Sequence, residues 1–230
     1  MTTQKIIISG ISSGEHDLIT QKVLTSLNEA DLILVPRAKN NDIGIAEKLL
    51  REIIPDKILT PLYFPMISNE NQRDEIIFNQ IKNLEQIILN SHVIFFPVIG
   101  DSTLYSTGKY LFDALKKFLP TLELEFIPGI SAHSIAAACA KKFLAMSDEI
   151  LSIVPATANP EKIKRVLELS DVIAIYKPSA LKNFNDIIKN ISFKEIITVQ
   201  KAGTPDEKIF YGQDAVNNIS EYMSVILIWR

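Results

Sequence analysis

The stretch His92–Tyr110, HVIFFPVIGDSTLYSTGKY, decides the fold, because an apolar run ends in Gly-Asp and a hydroxyl-rich turn before helical spacing begins. A buried strand is expected over Val93–Phe96. Gly100 is expected to let the backbone approach a ligand closely, and Ser102 or Thr103 to cap a helix over Leu104–Phe118. Strand, loop and helix in this order build an open α/β sheet, where ligands sit outside the carboxyl ends of the strands.

The same alternation extends both ways. Upstream, Ile6–Ser9 reads as a strand, Asp17–Asn28 as a helix with Leu18, Ile19, Val23, Leu24 and Leu27 at helical spacing, and Leu32–Val35 as a strand. That is a βαβ unit. Helices are expected at Ile45–Ile54 and Asp74–Leu89, and the polar segment Ser68–Arg73 as a solvated loop. Downstream, strands are expected at Glu123–Ile127, Ile150–Val154, Val172–Tyr176, Ile196–Gln200, Lys208–Tyr211 and Ser224–Trp229. Helices at Ser134–Lys142, Glu161–Leu169, Asn183–Ile188 and Asp214–Ile219 lie between them. Pro120 closes the first half. The prediction is therefore two α/β domains with mixed sheets, 1–119 and 120–230, the second more strand-rich and partly antiparallel. No Gly/Ser linker separates them, so they are expected to share a cleft.

Composition narrows the function. The chain has 230 residues, 47% hydrophobic and 22% charged, with a formal net charge of −3 and one cysteine, Cys139. A single cysteine excludes an intramolecular disulfide and a thiolate zinc cluster. No apolar run approaches the roughly 18 residues of a membrane span, and no Lys/Arg-rich block favours nucleic acid. The start, MTTQKIIISG, moves directly into a strand, and the expected compartment is the cytoplasm.

Four further segments can carry chemistry. Gly10–Thr20, GISSGEHDLIT, lacks the third glycine of a dinucleotide fingerprint and the lysine of a phosphate loop, so taken alone it is a βα turn with capping groups. Ile127–Ala132, IPGISA, leads into a helix whose alanines permit either close packing or the approach of a planar group. Ala174–Pro178, AIYKP, and Lys201–Glu207, KAGTPDE, end two other strands.

Taken together these motifs resemble the tetrapyrrole methyltransferases, class III S-adenosylmethionine enzymes, and within them the branch acting at C20 of precorrin-2. The resemblance covers essentially the whole chain. It rests on Gly10, Gly14 and Leu18-Ile19-Thr20; Glu29-Ala30-Asp31; Pro36-Arg37; Phe64-Pro65-Met66; and most strongly Gly100–Thr107, GDSTLYST. Ile127–Ser131, Val154–Thr157, Tyr176-Lys177 and Ala202–Glu207 complete the order. The chain departs from the family at Ser13, Glu15 and His16, where Pro and Asp-Pro are usual around the second glycine, and at Ser102, where Gly-Asp-Pro is usual.

The resemblance implies a cleft holding S-adenosylmethionine, or its product S-adenosylhomocysteine, against Ser13, Ile99, Gly100, Asp101, Leu104, Ser131, Ala132, Tyr176 and Gly203. Asp101 is read either as an acceptor for cofactor hydrogen bonds or as a charge at a helix N-terminus. It implies a reduced tetrapyrrole substrate bound by Arg37 and Tyr105, and a homodimer. Arg37 suits a substrate carboxylate because its fork binds bidentately. Lys39 and Arg73 read as solvated charge or as further clamps, His16 as an exposed loop residue or a proton shuttle, His92 as surface and His133 as part of a helix start. No residue declares itself a catalytic base, and the scattered histidines show no metal-ligand spacing. Two alternatives stay open: a family member with another tetrapyrrole or non-tetrapyrrole substrate, and, because of the altered Ser13–His16 loop, a non-catalytic cofactor-binding module.

Overall fold

A computed structural model describes residues 4–12, 15–39, 42–181, 184–188 and 191–230. The chain forms two compact units, Met1–Ile130 and Ser131–Arg230. In the first, strands β1 (Lys5–Ile11), β2 (Leu32–Arg37), β3 (Leu59–Tyr63), β4 (Val93–Ile99) and β5 (Glu123–Ile127) form a parallel sheet in the order β3-β2-β4-β1-β5. Helices α1 (Gln21–Glu29), α2 (Ile45–Ile53), α3 (Glu70–Asn83), α4 (Glu85–Leu89) and α5 (Gly108–Phe118) connect them.

Successive strand residues face opposite ways, and both faces are covered. Ile6, Ile8, Leu34 and Phe96 pack with Ile77, Ile81, Ile88, Leu111 and Leu115 of α3, α4 and α5. Ile7, Ile33, Val35 and Phe95 pack with Val23, Leu27, Leu49 and Leu50 of α1 and α2. A doubly covered parallel sheet demands the continuous apolar runs seen in β1, β2 and β4. Each fully buried Ile or Phe stabilises the fold by about 1.5–3 kcal/mol.

Connections part between β1 and β4. β1 leaves through α1 on one face toward β2, while its neighbour β4 leaves through α5 on the other face toward β5. This is a topological switch point, and it places the Gly10 and Gly100 loops side by side at the carboxyl edge of the sheet.

Several sequence expectations are corrected here. Glu123–Ile127, expected to open the second domain, pairs with β1, with Ile8 opposite Phe126, so the division falls after Ile130 instead of near Pro120. The edge of β1 carries backbone groups that need partners, and β5 supplies them. Leu59–Tyr63 was not expected as a strand; Pro61 conceals it, and β3 tolerates that proline because it lies at the sheet edge. Within Ser68–Arg73 the Asn69 side chain accepts the Gln72 N–H at 3.2 Å and starts α3 at Glu70. The helix expected from Leu104 begins at Gly108, so neither Ser102 nor Thr103 caps it. Ser106 Oγ instead accepts the Gly108 N–H at 3.1 Å.

The second unit contains β6 (Leu151–Pro155), β7 (Val172–Tyr176), β8 (Glu195–Gln200), β9 (Lys208–Tyr211) and β10 (Ser224–Trp229), in the order β6-β7-β10-β8-β9. Helices α6 (Ala132–Cys139), α7 (Pro160–Leu169), α8 (Phe184–Ile188) and α9 (Gly212–Asn217) accompany them. Only β6 and β7 pair in parallel, so the sheet is mixed, as expected. Ile173, Ile175, Ile226 and Ile228 bury one face against Ile163, Leu167, Phe184 and Val216. Because β7 and β8 both run opposite to the β10 between them, the carboxyl ends of β6, β7 and β8 lie on one edge.

Candidate functional site

At the switch point of the first unit, three glycines from three strand ends meet. A Cβ on Gly10 would stand 2.3 Å from the Gly100 carbonyl oxygen and 2.4 Å from the Gly129 nitrogen, and one on Gly129 would stand 2.1 Å from the same oxygen. Gly100 itself has φ 77 and donates its N–H to the Ile11 carbonyl at 2.8 Å. The close backbone approach expected toward a ligand is thus made first between protein strands, and it fixes where the following loop starts.

That loop runs from Gly100 to Thr107. Asp101 Oδ1 accepts both the Thr103 N–H at 2.8 Å and the Thr103 hydroxyl at 2.7 Å, forming an Asx turn. Since α5 starts only at Gly108, the reading of Asp101 as a helix N-terminal charge does not hold. Ser102 is 1% exposed and its hydroxyl is the one buried side-chain oxygen without a hydrogen-bond partner among the described residues. Such an orphan calls for a ligand group or a bound water. Tyr105 is exposed with left-handed backbone, φ 53, and partial burial pushes its phenol above the usual value. Ile99 and Leu104 are half-buried at the loop's start and middle.

Arg37 ends β2, as expected, but the edge of its guanidinium is engaged. Nε and Nη2 donate to Glu47 Oε2 and Oε1 at 2.6 and 2.8 Å, and Arg51 donates to Oε1 from Nε at 3.2 Å and Nη2 at 2.6 Å. Glu47 is fully buried. The Arg37 hydrogen bond, ahead of the opposing effect of burial, holds its carboxyl below the usual carboxylate range. Gly44 lets α2 start against β2, because a Cβ there would stand 2.4 Å from the Pro36 carbonyl oxygen. That approach carries Glu47 under Arg37. The bidentate edge expected to grip a substrate carboxylate grips Glu47, a partner the sequence did not single out.

In the second unit, Ser131 precedes α6 and Ala132 opens it. The His133 main-chain N–H donates to Tyr176 Oη at 3.1 Å, and the same oxygen lies 2.7 Å from His133 Nδ1. His133 is therefore part of a helix start, as read, and it also fixes Tyr176 at the end of β7. This keeps the Tyr176 hydroxyl satisfied although the residue is buried. Past β8, Gly203 has φ 73 and donates its N–H to Glu207 Oε2 at 2.9 Å. Its amide is committed inside its own loop.

The remaining residues sort out simply. Ser13 lies outside the described residues. His16 Nε2 is 2.7 Å from Glu52 on the surface, and Lys39 pairs with Asp42 at 3.3 Å. Arg73 is not solvated: its side chain is 13% exposed, pairs with Asp74 at 3.0 Å and stacks 3.8 Å from the Tyr110 ring centroid. Asp31 ties β2 to β4 by accepting the His92 and Val93 N–H groups at 2.8 and 2.9 Å. Among the described residues no cluster of His, Cys, Asp or Glu is set to hold a metal ion, and no helix is long and apolar enough to cross a membrane.

Comparison with known proteins bears on this arrangement. Residues 5–213 match the sequence profile of the tetrapyrrole (corrin/porphyrin) methylases. The chain is 31% identical over 230 residues to a Methanocaldococcus jannaschii protein named probable cobalt-precorrin-2 C(20)-methyltransferase, covering 99% of this chain and 96% of that one. It is 28% identical over 185 residues to a precorrin-2 C(20)-methyltransferase of Sinorhizobium, covering 75% and 73%. Among solved structures, the methyltransferase CobJ has a TM-score of 0.73 at 18% identity, covering 99% and 94%. A uroporphyrin-III C-methyl transferase from Thermus thermophilus complexed with S-adenyl homocysteine has a TM-score of 0.66 at 12% identity, covering 99% and 97%. The structural likenesses carry the fold, two α/β units with mixed secondary structure. With the profile spanning most of the sequence and one relative similar along its full length, the chain belongs to the tetrapyrrole methylase family.

Proposed function

We propose that this protein transfers a methyl group from S-adenosylmethionine to C20 of precorrin-2, in its cobalt-containing or metal-free form, in cobalamin (vitamin B12) biosynthesis, acting as a cytoplasmic homodimer. The observation that carries the reading is the full-length similarity, at 31% identity, to the archaeal relative of that name. The loop Gly100–Thr107 supports the C20 branch, since it holds the motif on which that resemblance most depends. The cobalt form is the first substrate to try, because this relative carries cobalt in its name.

The residues present fit the cofactor. When bound, it supplies a methyl already activated on a sulfonium. By the family resemblance, the residues that would hold it are Ile99, Gly100, Asp101, Leu104, Ser131, Ala132, Tyr176 and Gly203. Ser13 belongs to the same expectation. Ser102's orphan hydroxyl offers a polar ligand group an unmet hydrogen bond. The Asx turn fixes the orientation of the Asp101 carboxylate, which this reading has near a ligand ammonium or hydroxyl. Tyr176, with its hydroxyl held by His133, contributes its ring as apolar surface. Gly203 contributes shape, not a donor. Tyr105, exposed on strained backbone, is the substrate contact of this reading, while the Arg37 fork is taken up by Glu47. The protein's contribution is alignment and exclusion of water, which in favourable cases is worth roughly 7–11 kcal/mol. The reading assigns no catalytic base.

Incubation with S-adenosylmethionine and each substrate form, followed by mass spectrometry and carbon NMR of the product, tests the proposal. One added methyl at C20 is the expected result. A methyl on another carbon makes the chain a different member of the family. Cofactor binding with no transfer to either form makes it a non-catalytic module.

A further inference from the structure

We infer that the Lys177 ammonium anchors a carboxylate of the tetrapyrrole, making it a substrate-binding residue at the carboxyl edge of the second sheet. The inference rests on the methyltransferase reading above. Among the described residues, five other than glycine have left-handed backbone: Tyr105, Lys141, Ser147, Lys177 and Lys201. Lys141 is explained by the end of α6, where the N–H groups of Lys141 and Lys142 return to the Ala138 and Ala137 carbonyls at 3.0 and 2.9 Å. Lys177 and Lys201 lie at no helix end of that kind; each opens a short turn, its carbonyl accepting the Ala180 or Thr204 N–H at 3.0 or 3.1 Å. Each is the first residue past a strand, β7 or β8, and those strands end on the same edge. Lys177 has φ 56 and ψ 47, a conformation that a residue with a Cβ enters at a cost. Strain of this kind collects at functional sites.

Charge separates the two lysines. Lys201 Nζ lies 3.8 Å from Asp206 and 3.7 Å from Glu221, so it is balanced from within its own unit. Lys177 is exposed and forms no ion pair with any described residue. Each cation nominated from sequence for the substrate faces a protein carboxylate instead: Arg37 faces Glu47, Lys39 faces Asp42 and Arg73 faces Asp74. Lys177 also follows directly on Tyr176, which His133 holds in place. A polycarboxylated macrocycle needs cations beside its reacting face. A lysine on a flexible four-carbon stem meets a mobile propionate or acetate as a point charge, without the planar demand of arginine.

The test measures dissociation constants of uroporphyrin III, a stable polycarboxylated tetrapyrrole, and of S-adenosylhomocysteine by calorimetry. Wild type, Lys177→Met, Lys177→Arg and Lys177→Gly are compared. Removing the charge should weaken uroporphyrin binding about fivefold, which is about 1 kcal/mol, and flatten its salt dependence. S-adenosylhomocysteine affinity should stay the same. Arg should keep most of the porphyrin affinity. Gly should lose as much as Met while unfolding at or above the wild-type temperature, because it relieves the left-handed strain. Unchanged porphyrin affinity in the Met and Gly variants overturns the inference, as does equal loss of both ligands or a wild type that binds no porphyrin. A wild type that binds no S-adenosylhomocysteine sinks the methyltransferase reading as well, so the two failures are told apart.

Discussion

Replacing Arg37 by alanine should cost the N-terminal unit about 3 kcal/mol and leave S-adenosylhomocysteine affinity unchanged. Glu47 has no exposed surface and accepts four hydrogen bonds, two from Arg37 at 2.6 and 2.8 Å and two from Arg51 at 3.2 and 2.6 Å. Removing one partner of a buried ion pair commonly costs about 3–5 kcal/mol. Arg51 stays behind with two of the four bonds, so the lower end applies. At about 2–4 °C per kcal/mol for a chain of this length, melting should fall by roughly 6–12 °C. Urea denaturation of the wild type, Arg37→Ala, Glu47→Gln and the double variant gives the coupling directly. The double variant should lose less than the sum of the single losses. A loss below about 1 kcal/mol, the range of exposed ion pairs, would refute the argument. So would unchanged stability with selective loss of tetrapyrrole binding, which would return Arg37 to the substrate.

The same carboxylate predicts a pH dependence. Its folded pKa lies below the unfolded value of about 4.3, so its contribution is complete above that value and fades as pH falls through the folded one. Glu47→Gln should therefore flatten the acid limb of the stability profile, and an unaltered limb would contradict the assignment. Gly10→Ala should cost about 3 kcal/mol because its Cβ meets only backbone. Gly212→Ala, with φ +57 and nothing within 4 Å, should cost about 1 kcal/mol; equal losses in denaturant titrations would remove the argument from close approach. S-adenosylhomocysteine at a hundredfold excess over its dissociation constant should stabilise the protein by about 2.7 kcal/mol, read as a thermal shift whose absence speaks against a cofactor site. Light scattering should return about twice the 25.8 kDa chain mass, and a monomer at micromolar concentration would contradict the dimer.

Much of the fold was legible because burial writes itself into sequence. A strand covered on both faces must be apolar throughout, which is why the cores of β1, β2 and β4 could be read directly, and β7 and β10 along their full length. The Gly-Asp loop after β4 was legible for a related reason, since a glycine followed by hydroxyls is how a chain leaves such a strand. Periodicity reports how a segment is buried and says nothing about its partner. It marked Glu123–Ile127 as a strand without revealing that β1, not the second sheet, would take it. It could not find β3, whose proline is permitted only by an edge position that exists after assembly. The candidate site divides along the same line. The sequence by itself determined the family motifs and their place at strand ends, because those depend on local residue types. Only the tertiary structure decided that Gly10, Gly100 and Gly129 touch, that Arg37 turns to Glu47, that Tyr176 is held by His133 and that Lys177 stands exposed just past β7 on left-handed backbone. Hydrogen bonds and ion pairs act over a few ångströms in space, and residues far apart along the chain reach that range only when the strands have paired.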